Sequence, residues 1–189
     1  MAKSSEEVLK TLSNIIIPRH LYSIQGGHFR LIEESPGATC KEVQFKKTGK
    51  ILILKFDQIF GEARYDILPF YREQRNVKRI CDYIVIYPQK DTNRLFVFVC
   101  ELKSSNVGNA GEQARAGFHL AEYLVHTALR LLRYQRCDIE YRALIFSTRI
   151  HPRGGTNAAS LAYEQYPVID LKFKHLPCNF PCDIDAYCF

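Results

Sequence analysis

The sequence predicts a single α/β domain built around a mixed β-sheet. Two apolar runs rich in β-branched and aromatic residues, 81–87 and 95–100, are separated by a polar turn segment and are typical of a β-hairpin. A segment with helical periodicity follows at 110–134, and a third strand-like run at 140–147. The chain has 189 residues, so we expect one domain over 1–189 with its core at about 79–148.

Shorter elements precede this core. Ser4 or Ser5, followed by Glu7, predicts a capped helix that reaches about Asn14 and is stopped by Pro18. Strand-like runs at 29–32, 43–45 and 51–54 are expected to extend or flank the sheet. The stretch 57–78 has a mixed pattern that predicts no element.

The segment after the core has weaker signals. A basic, glycine-containing loop at 149–156 is typical of a surface turn. Thr156 is placed to cap a short helix through Gln165, and a further strand is expected from Val168 to Phe173.

The hairpin brings three ionisable residues together if its register follows the turn. When Pro88 faces Leu95, Asp82 faces Glu101 on the neighbouring strand. Side chains alternate along a strand, so Lys103 lies on the same face as Glu101. The rest of both strands is apolar, which predicts central strands covered on both sides and a polar trio at one end.

The trio suits phosphodiester chemistry. Two carboxylates are hard oxygen ligands for Mg²⁺ or Mn²⁺, ions that also take phosphate oxygens. A lysine next to them can orient or deprotonate a water and offset negative charge on phosphorus. The alternative is a surface salt bridge between Glu101 and Lys103, with Asp82 as a strand-start residue.

These residues resemble the PD-(D/E)xK nuclease superfamily over about 79–148. Asp82 matches the first acidic residue, and Glu101-Leu102-Lys103 matches the ExK tripeptide. Cys81 stands where the family often has proline. Gln113 resembles a glutamine that some members place near the metal, although Gly117 stands where a tyrosine would be expected. The alternative for Gln113 is a solvated helix residue.

The resemblance implies a restriction-endonuclease-like fold, a mixed central sheet flanked by helices with an αβββαβ core. It implies an endonuclease that cleaves DNA with Mg²⁺ or Mn²⁺ bound by Asp82 and Glu101 and with Lys103 assisting the water, Gln113 being a further site residue. It also implies a homodimer, a possible protein partner in a larger complex and a role in restriction or phage defence. Alternatives are a catalytically silent nucleic-acid-binding or scaffold protein, a junction resolvase and an RNA nuclease of the same fold.

Some nucleases of this type use an acidic residue upstream of the motif. The sequence does not choose among its candidates, which are Glu6, Glu34, Glu62, Asp66 and Glu73.

The charge of the chain favours a polyanionic partner. Its formal net charge is +6, and candidate phosphate contacts lie before the hairpin and in the basic loop. These candidates are Arg72, Arg75, Lys78, Arg79, Arg149 and Arg153. A solvated charged face is the alternative for each group.

The seven cysteines and the absence of an apolar leader or long apolar span predict a cytoplasmic protein with no membrane segment. Cys178, Cys182 and Cys188, with His175 nearby, could bind zinc, but their irregular spacing favours packed thiols.

Overall fold

The computed structural model describes residues 4–22, 24, 27–46, 49–56, 59–60, 63–64, 79–89, 92–104, 106–133, 136–148, 163–165, 171–178 and 181–189. Helix α1 spans Ser4–Ile15 and helix α2 spans Ala110–Leu131, with short 3-10 helices at Pro18–His20 and Ile184–Tyr187. The strands are β1 His28–Ile32, β2 Glu42–Lys46, β3 Leu52–Lys55, β4 Ile59–Phe60, β5 Ala63–Arg64, β6 Tyr83–Pro88, β7 Arg94–Lys103, β8 Asp138–Ser147, β9 Glu164–Gln165, β10 Lys172–Pro177 and β11 Cys182–Asp183. The described chain is therefore α/β.

A mixed six-stranded sheet forms the centre, in the order β3-β6-β7-β8-β10-β9. Strands β3, β6 and β7 pair antiparallel, whereas β8 runs parallel to both β7 and β10. Helix α2 makes the connection from β7 to β8, as a parallel pair requires. The carboxyl ends of β7 and β8 therefore lie together at one edge of the sheet.

Each face of this sheet is covered by a different layer. One face packs on α1 and α2, where Leu12, Phe118 and Val125 join the core with alternate residues of β6 and β7 such as Ile84 and Val97. The opposite face packs on a second sheet, β1-β2-β11. The Tyr83 hydroxyl links the two sheets through hydrogen bonds with the backbone of Ile32. Burial on both faces explains why β6 and the middle of β7, from Leu95 to Cys100, are apolar.

The helices and core strands lie where the sequence predicts them, and the early strands extend or flank the sheet as expected, since β3 extends it and β1 and β2 flank it. Of the three early strands only β3 joins it, while β1 and β2 pair with each other and with β11. Because β11 lies far away in the sequence, local periodicity cannot reveal this second sheet.

The predicted serine cap of α1 is wrong for Ser5. This residue lies inside the helix, and its hydroxyl has no hydrogen-bond partner. Its backbone N–H instead donates to Asn93 Oδ1 at 3.1 Å, so the turn between β6 and β7 caps α1.

The C-terminal elements also differ from the prediction. Glu164 and Gln165 pair with β10 as a strand instead of ending a helix. The strand expected from Val168 to Phe173 is β10, which runs on to Pro177; residues 166–170, like Thr156, lie outside the described residues. Among the described residues, no helix is both long and apolar enough to cross a membrane.

Candidate active site

Asp82 and Glu101 meet at the open end of the β6–β7 hairpin. The observed register pairs Pro88 with Leu95 and Tyr83 with Cys100, so Asp82 lies opposite Glu101 as predicted. The Asp82 N–H donates to Glu101 Oε2 at 3.2 Å, and the Leu102 N–H donates to Asp82 Oδ2 at 2.7 Å. Each carboxylate thus binds the backbone beside the other, which fixes both side chains on the helix-covered face.

Lys103 completes the trio. Its ammonium forms an ion pair with Glu101 Oε1, and its side chain is 21% exposed whereas that of Glu101 is fully buried. Glu101 Oε1 is buried, and its recorded contact among the described residues is this ion pair with Lys103. The alternative of a Glu101–Lys103 salt bridge at the strand end is present as an ion pair, but the Glu101 carboxylate is buried instead of lying at the surface.

Gln113 joins the same cluster from the first turns of α2. Its Oε1 accepts a 2.6 Å hydrogen bond from Lys103 Nζ, and its Nε2 donates to the carbonyl oxygen of Ile80 at 3.3 Å. The alternative of a solvated helix residue is wrong. Gln113 bridges the strand that carries Lys103 and the segment that leads into Asp82.

Burial perturbs the protonation of the site. Desolvation, followed by repulsion from the Asp82 carboxylate, raises the pKa of Glu101 to about 8, and the Lys103 ammonium offsets only part of this effect. A buried acid whose pKa is raised by a second acid is a common mark of a functional site. Additional positive charge at this position would favour the ionised form of Glu101.

The donor set fits a small divalent cation in part. Two carboxylates that face each other, one with a buried oxygen lacking a hydrogen bond, match the preference of Mg²⁺ and Mn²⁺ for hard oxygen ligands. Among the described residues no three histidine, cysteine, aspartate or glutamate side chains gather in a way that could hold a metal ion. Asp82 and Glu101 could therefore supply at most two ligands, and the remaining positions would fall to water or to other groups.

Two candidates for an upstream acid lie away from the site. Glu6 pairs with Lys50, and α1 begins beside Asn93, at the opposite end of β6 from Asp82. Glu34 pairs with Lys55, whose ammonium lies over the Tyr83 ring on the face opposite Glu101. Candidates Glu62, Asp66 and Glu73 lie outside the described residues.

Cys81 and Gly117, the two departures from the family pattern, contact each other. Cys81 is buried and its Sγ donates to the carbonyl oxygen of Tyr83 at 3.3 Å. A Cβ added to Gly117 would overlap Cys81 Sγ and lie 2.9 Å from Cys81 Cβ. Sequence reasoning noted each residue but not their contact, because the two are far apart in the chain.

A hydroxyl network that sequence reasoning missed holds the strand ends next to Lys103. The Thr39 N–H donates to Ser104 Oγ at 2.9 Å, and the Thr148 hydroxyl donates to the Ser104 carbonyl oxygen at 2.8 Å. The hydroxyls of Thr39 and Thr148 lie 3.2 Å apart. The only local signal was a polar residue directly after each of β7 and β8.

Of the predicted nucleic-acid contacts, one is described. Arg79 is exposed and lies three residues before Asp82. Arg72, Arg75, Lys78, Arg149 and Arg153 lie outside the described residues.

The C-terminal cysteines belong to the core. Cys178 and Cys188 are buried there and Cys182 packs against it, which agrees with packed thiols. Burial also raises the pKa of Cys188 to about 12.

Comparisons with known proteins add no family. The chain has no match among models of protein families, curated proteins or solved structures. Its site must therefore be interpreted from its own geometry.

Proposed function

We propose that this protein is a metal-dependent nuclease that hydrolyses phosphodiester bonds in nucleic acid, with DNA as the expected substrate. One observation carries the proposal: two carboxylates, one of them buried, meet beside a lysine and a glutamine at the end of two central strands. Such a cluster contributes nothing obvious to folding, since it holds two like charges close together in a desolvated place.

The topology agrees with the restriction-endonuclease-like fold that the resemblance implies. The order α1, β3, β6, β7, α2, β8 corresponds to an αβββαβ core, with three antiparallel strands and a fourth that is parallel to the third. Asp82 directly precedes the second of these strands, and Glu101 lies on the third. This agreement supports the proposal at the level of the fold alone.

Each side chain has a part in the proposed reaction. Asp82 and Glu101 would hold Mg²⁺ or Mn²⁺, which when bound would polarise the phosphate and lower the pKa of an attacking water. Lys103, which is more exposed than Glu101, would face the substrate and offset charge that develops on phosphorus. Gln113 holds the Lys103 ammonium through its 2.6 Å hydrogen bond, which limits the rotamers available to the lysine.

The first test is cleavage of supercoiled plasmid, linear duplex, single-stranded DNA, four-way junction and RNA with Mg²⁺, Mn²⁺ or EDTA. We expect the wild type to cleave in a metal-dependent manner and Asp82→Ala to lose about a hundredfold or more of the rate. Asp138→Ala is a matched control, because Asp138 is an exposed acid at the start of β8, at the far end of the sheet.

The outcomes separate the alternatives. Preference for the junction or for RNA would keep the chemistry and assign a resolvase or an RNA nuclease. Binding without cleavage by the wild type in either metal would contradict the proposal and favour a catalytically silent binder. Equal loss of rate in Asp82→Ala and Asp138→Ala would also contradict the assigned site.

The remaining proposals rest on analogy with nucleases of this type. They are a homodimer that cuts both strands, a partner protein and a role in restriction or phage defence. Sedimentation of the protein alone and with a cleaved duplex would test the dimer.

A further inference from the structure

Helix α2 packs closely against Cys81, the residue before Asp82, at the position of Gly117. A methyl group at this position would overlap Cys81 Sγ, and the backbone nitrogen of Cys81 lies only 3.5 Å from the same point. Glycine inside a helix costs about 1 kcal/mol relative to alanine. Its occurrence in the middle of a 22-residue helix therefore indicates a packing reason, which the Cys81 contact supplies.

One turn before Gly117, the same helix contacts Lys103 through the side chain of Gln113. Gln113 and Gly117 are four residues apart, so both lie on the face of α2 that meets the sheet. Gln113 contacts Ile80 and Lys103, and Gly117 contacts Cys81. The two helix contacts thus fall on the consecutive residues that lead into Asp82.

We infer that Cys81 and Gly117 are a pair of positioning residues that set how closely α2 lies against the sheet, so that Gln113 reaches Lys103 at the site. This inference rests on the proposed function, because it assumes that Lys103 takes part in hydrolysis. Neither member of the pair touches the reacting groups. Their effect on the reaction passes through Gln113.

The hydrogen bond between Gln113 and Lys103 would tolerate only a small displacement of α2. The Gln113–Lys103 hydrogen bond is 2.6 Å long, and hydrogen bonds of this kind weaken beyond about 3.2 Å. A shift of α2 by about 1 Å would break this contact and leave the Lys103 ammonium held by its ion pair with Glu101 alone among its recorded contacts. A displacement of that size in a positioned catalytic group can cost about a hundredfold in rate.

The experiment changes the size of each partner in turn. Gly117→Ala adds a methyl group that pushes α2 outward, and Cys81→Gly removes the side chain on which the helix rests. We expect each single variant to lower the single-turnover cleavage rate at saturating plasmid at least tenfold, with the Kd for DNA in EDTA within about twofold of the wild type. The double variant Cys81→Gly/Gly117→Ala should recover the rate to within about threefold, because the new methyl group fills the vacated space.

A control separates positioning from general crowding under α2. Ala121→Ser adds one atom to the same buried face one turn further along the helix, away from Gln113. We expect its thermal stability to fall while its cleavage rate stays near that of the wild type. A cleavage rate that stays near the wild-type value in the destabilised Ala121→Ser variant is the result that lost stability alone would not produce.

Failure of this inference differs from failure of the proposed function. A Cys81→Gly variant that cleaves at the wild-type rate, or a double variant no faster than either single variant, would overturn the positioning role. If the wild type cleaves no substrate, the proposed function fails, and crystal structures of the wild type and the variants still decide the geometry. An unchanged Lys103 Nζ to Gln113 Oε1 distance in Gly117→Ala or Cys81→Gly would overturn the inference, whereas a longer one that shortens again in the double variant would support it.

Discussion

At the scale of the residue, the side chains of Asp82 and Glu101 are fixed by hydrogen bonds to the backbone. Each accepts a hydrogen bond from a backbone N–H beside the other, so the pair is fixed by the strands themselves. Lys103 differs because its contacts are with side chains, Glu101 and Gln113. It is therefore the member of the trio whose replacement should disturb the backbone least.

Replacing Lys103 tests its chemical role directly. We expect Lys103→Ala to lower the cleavage rate about a hundredfold or more while DNA binding without metal changes little, because one ammonium is a small part of the positive charge of a chain with 26 lysine and arginine residues. Cleavage rate and binding affinity should be measured at one salt concentration. Lys172→Ala, which removes an exposed lysine from the start of β10, is the matched control; undiminished cleavage by Lys103→Ala would exclude the assigned role.

Part of the site could be predicted from the sequence. The hairpin register follows from the turn and from the alternation of side chains, and it alone brings Asp82, Glu101 and Lys103 together. The contact between Cys81 and Gly117 could not be predicted, since it depends on how deeply a helix packs on a sheet. The hydroxyl network through Thr39 depends in the same way on a distant segment.

At the scale of the element, the turn between β6 and β7 forms hydrogen bonds with both helix α1 and the segment before β8. Asn93 accepts the Ser5 N–H at the start of α1 and donates from Nδ2 to the carbonyl oxygen of Arg136 before β8. The turn therefore ties a helix and a strand to the hairpin, at the end opposite the candidate site. The sequence suggested a serine cap because capping by a distant side chain leaves no local pattern.

Replacing Asn93 should affect stability and leave chemistry intact. We expect Asn93→Ala to lower the free energy of unfolding by about 1–2 kcal/mol, since a helix cap and a second hydrogen bond are lost. Urea unfolding followed by circular dichroism measures this change. Thr92→Ala, in the same turn, is a useful comparison because Thr92 bonds only within the turn among its recorded contacts; a loss of cleavage in folded Asn93→Ala would contradict the separation of the two sheet ends.

At the scale of the whole molecule, the protein has three layers, which are the two helices, the central sheet and the second sheet, and the candidate site lies at one edge of the middle layer. The central sheet carries an apolar core on each face, and the charged trio lies at one edge, beside the start of α2. The layers could be predicted only in part. Apolar strands indicated cover on both sides, but nothing local indicated that β1, β2 and β11 would supply one of the covers.

The stability of the metal-free protein should depend on pH through Glu101. Its pKa is raised from 4.5 to about 8 in the folded protein, so unfolding releases a proton between these values. The stabilising contribution is complete below pH 4.5 and is lost as the pH rises through about 8. Relative to the wild type, Glu101→Gln should therefore gain free energy of unfolding between pH 5 and pH 9, on the order of a few kcal/mol.

Denaturant unfolding of both proteins in EDTA, at several pH values, measures this difference. Added Mn²⁺ should stabilise the wild type most at high pH and Glu101→Gln little, since a ligand stabilises only the state that binds it. A difference between the two proteins that stays constant from pH 5 to pH 9 would exclude the proposed ionisation.

The mutual hydrogen bonds of Asp82 and Glu101 also have a mechanical consequence. Above about pH 8, where both carboxylates are ionised, their repulsion acts to open the end of the hairpin, while the hydrogen bonds from the backbone N–H groups of Asp82 and Leu102 act to close it. A cation bound between the two acids would remove this electrostatic repulsion and leave the hydrogen bonds unopposed. We therefore expect cation binding to slow amide hydrogen exchange at Asp82 and Leu102, at the end of β6 and β7, even when no substrate is present.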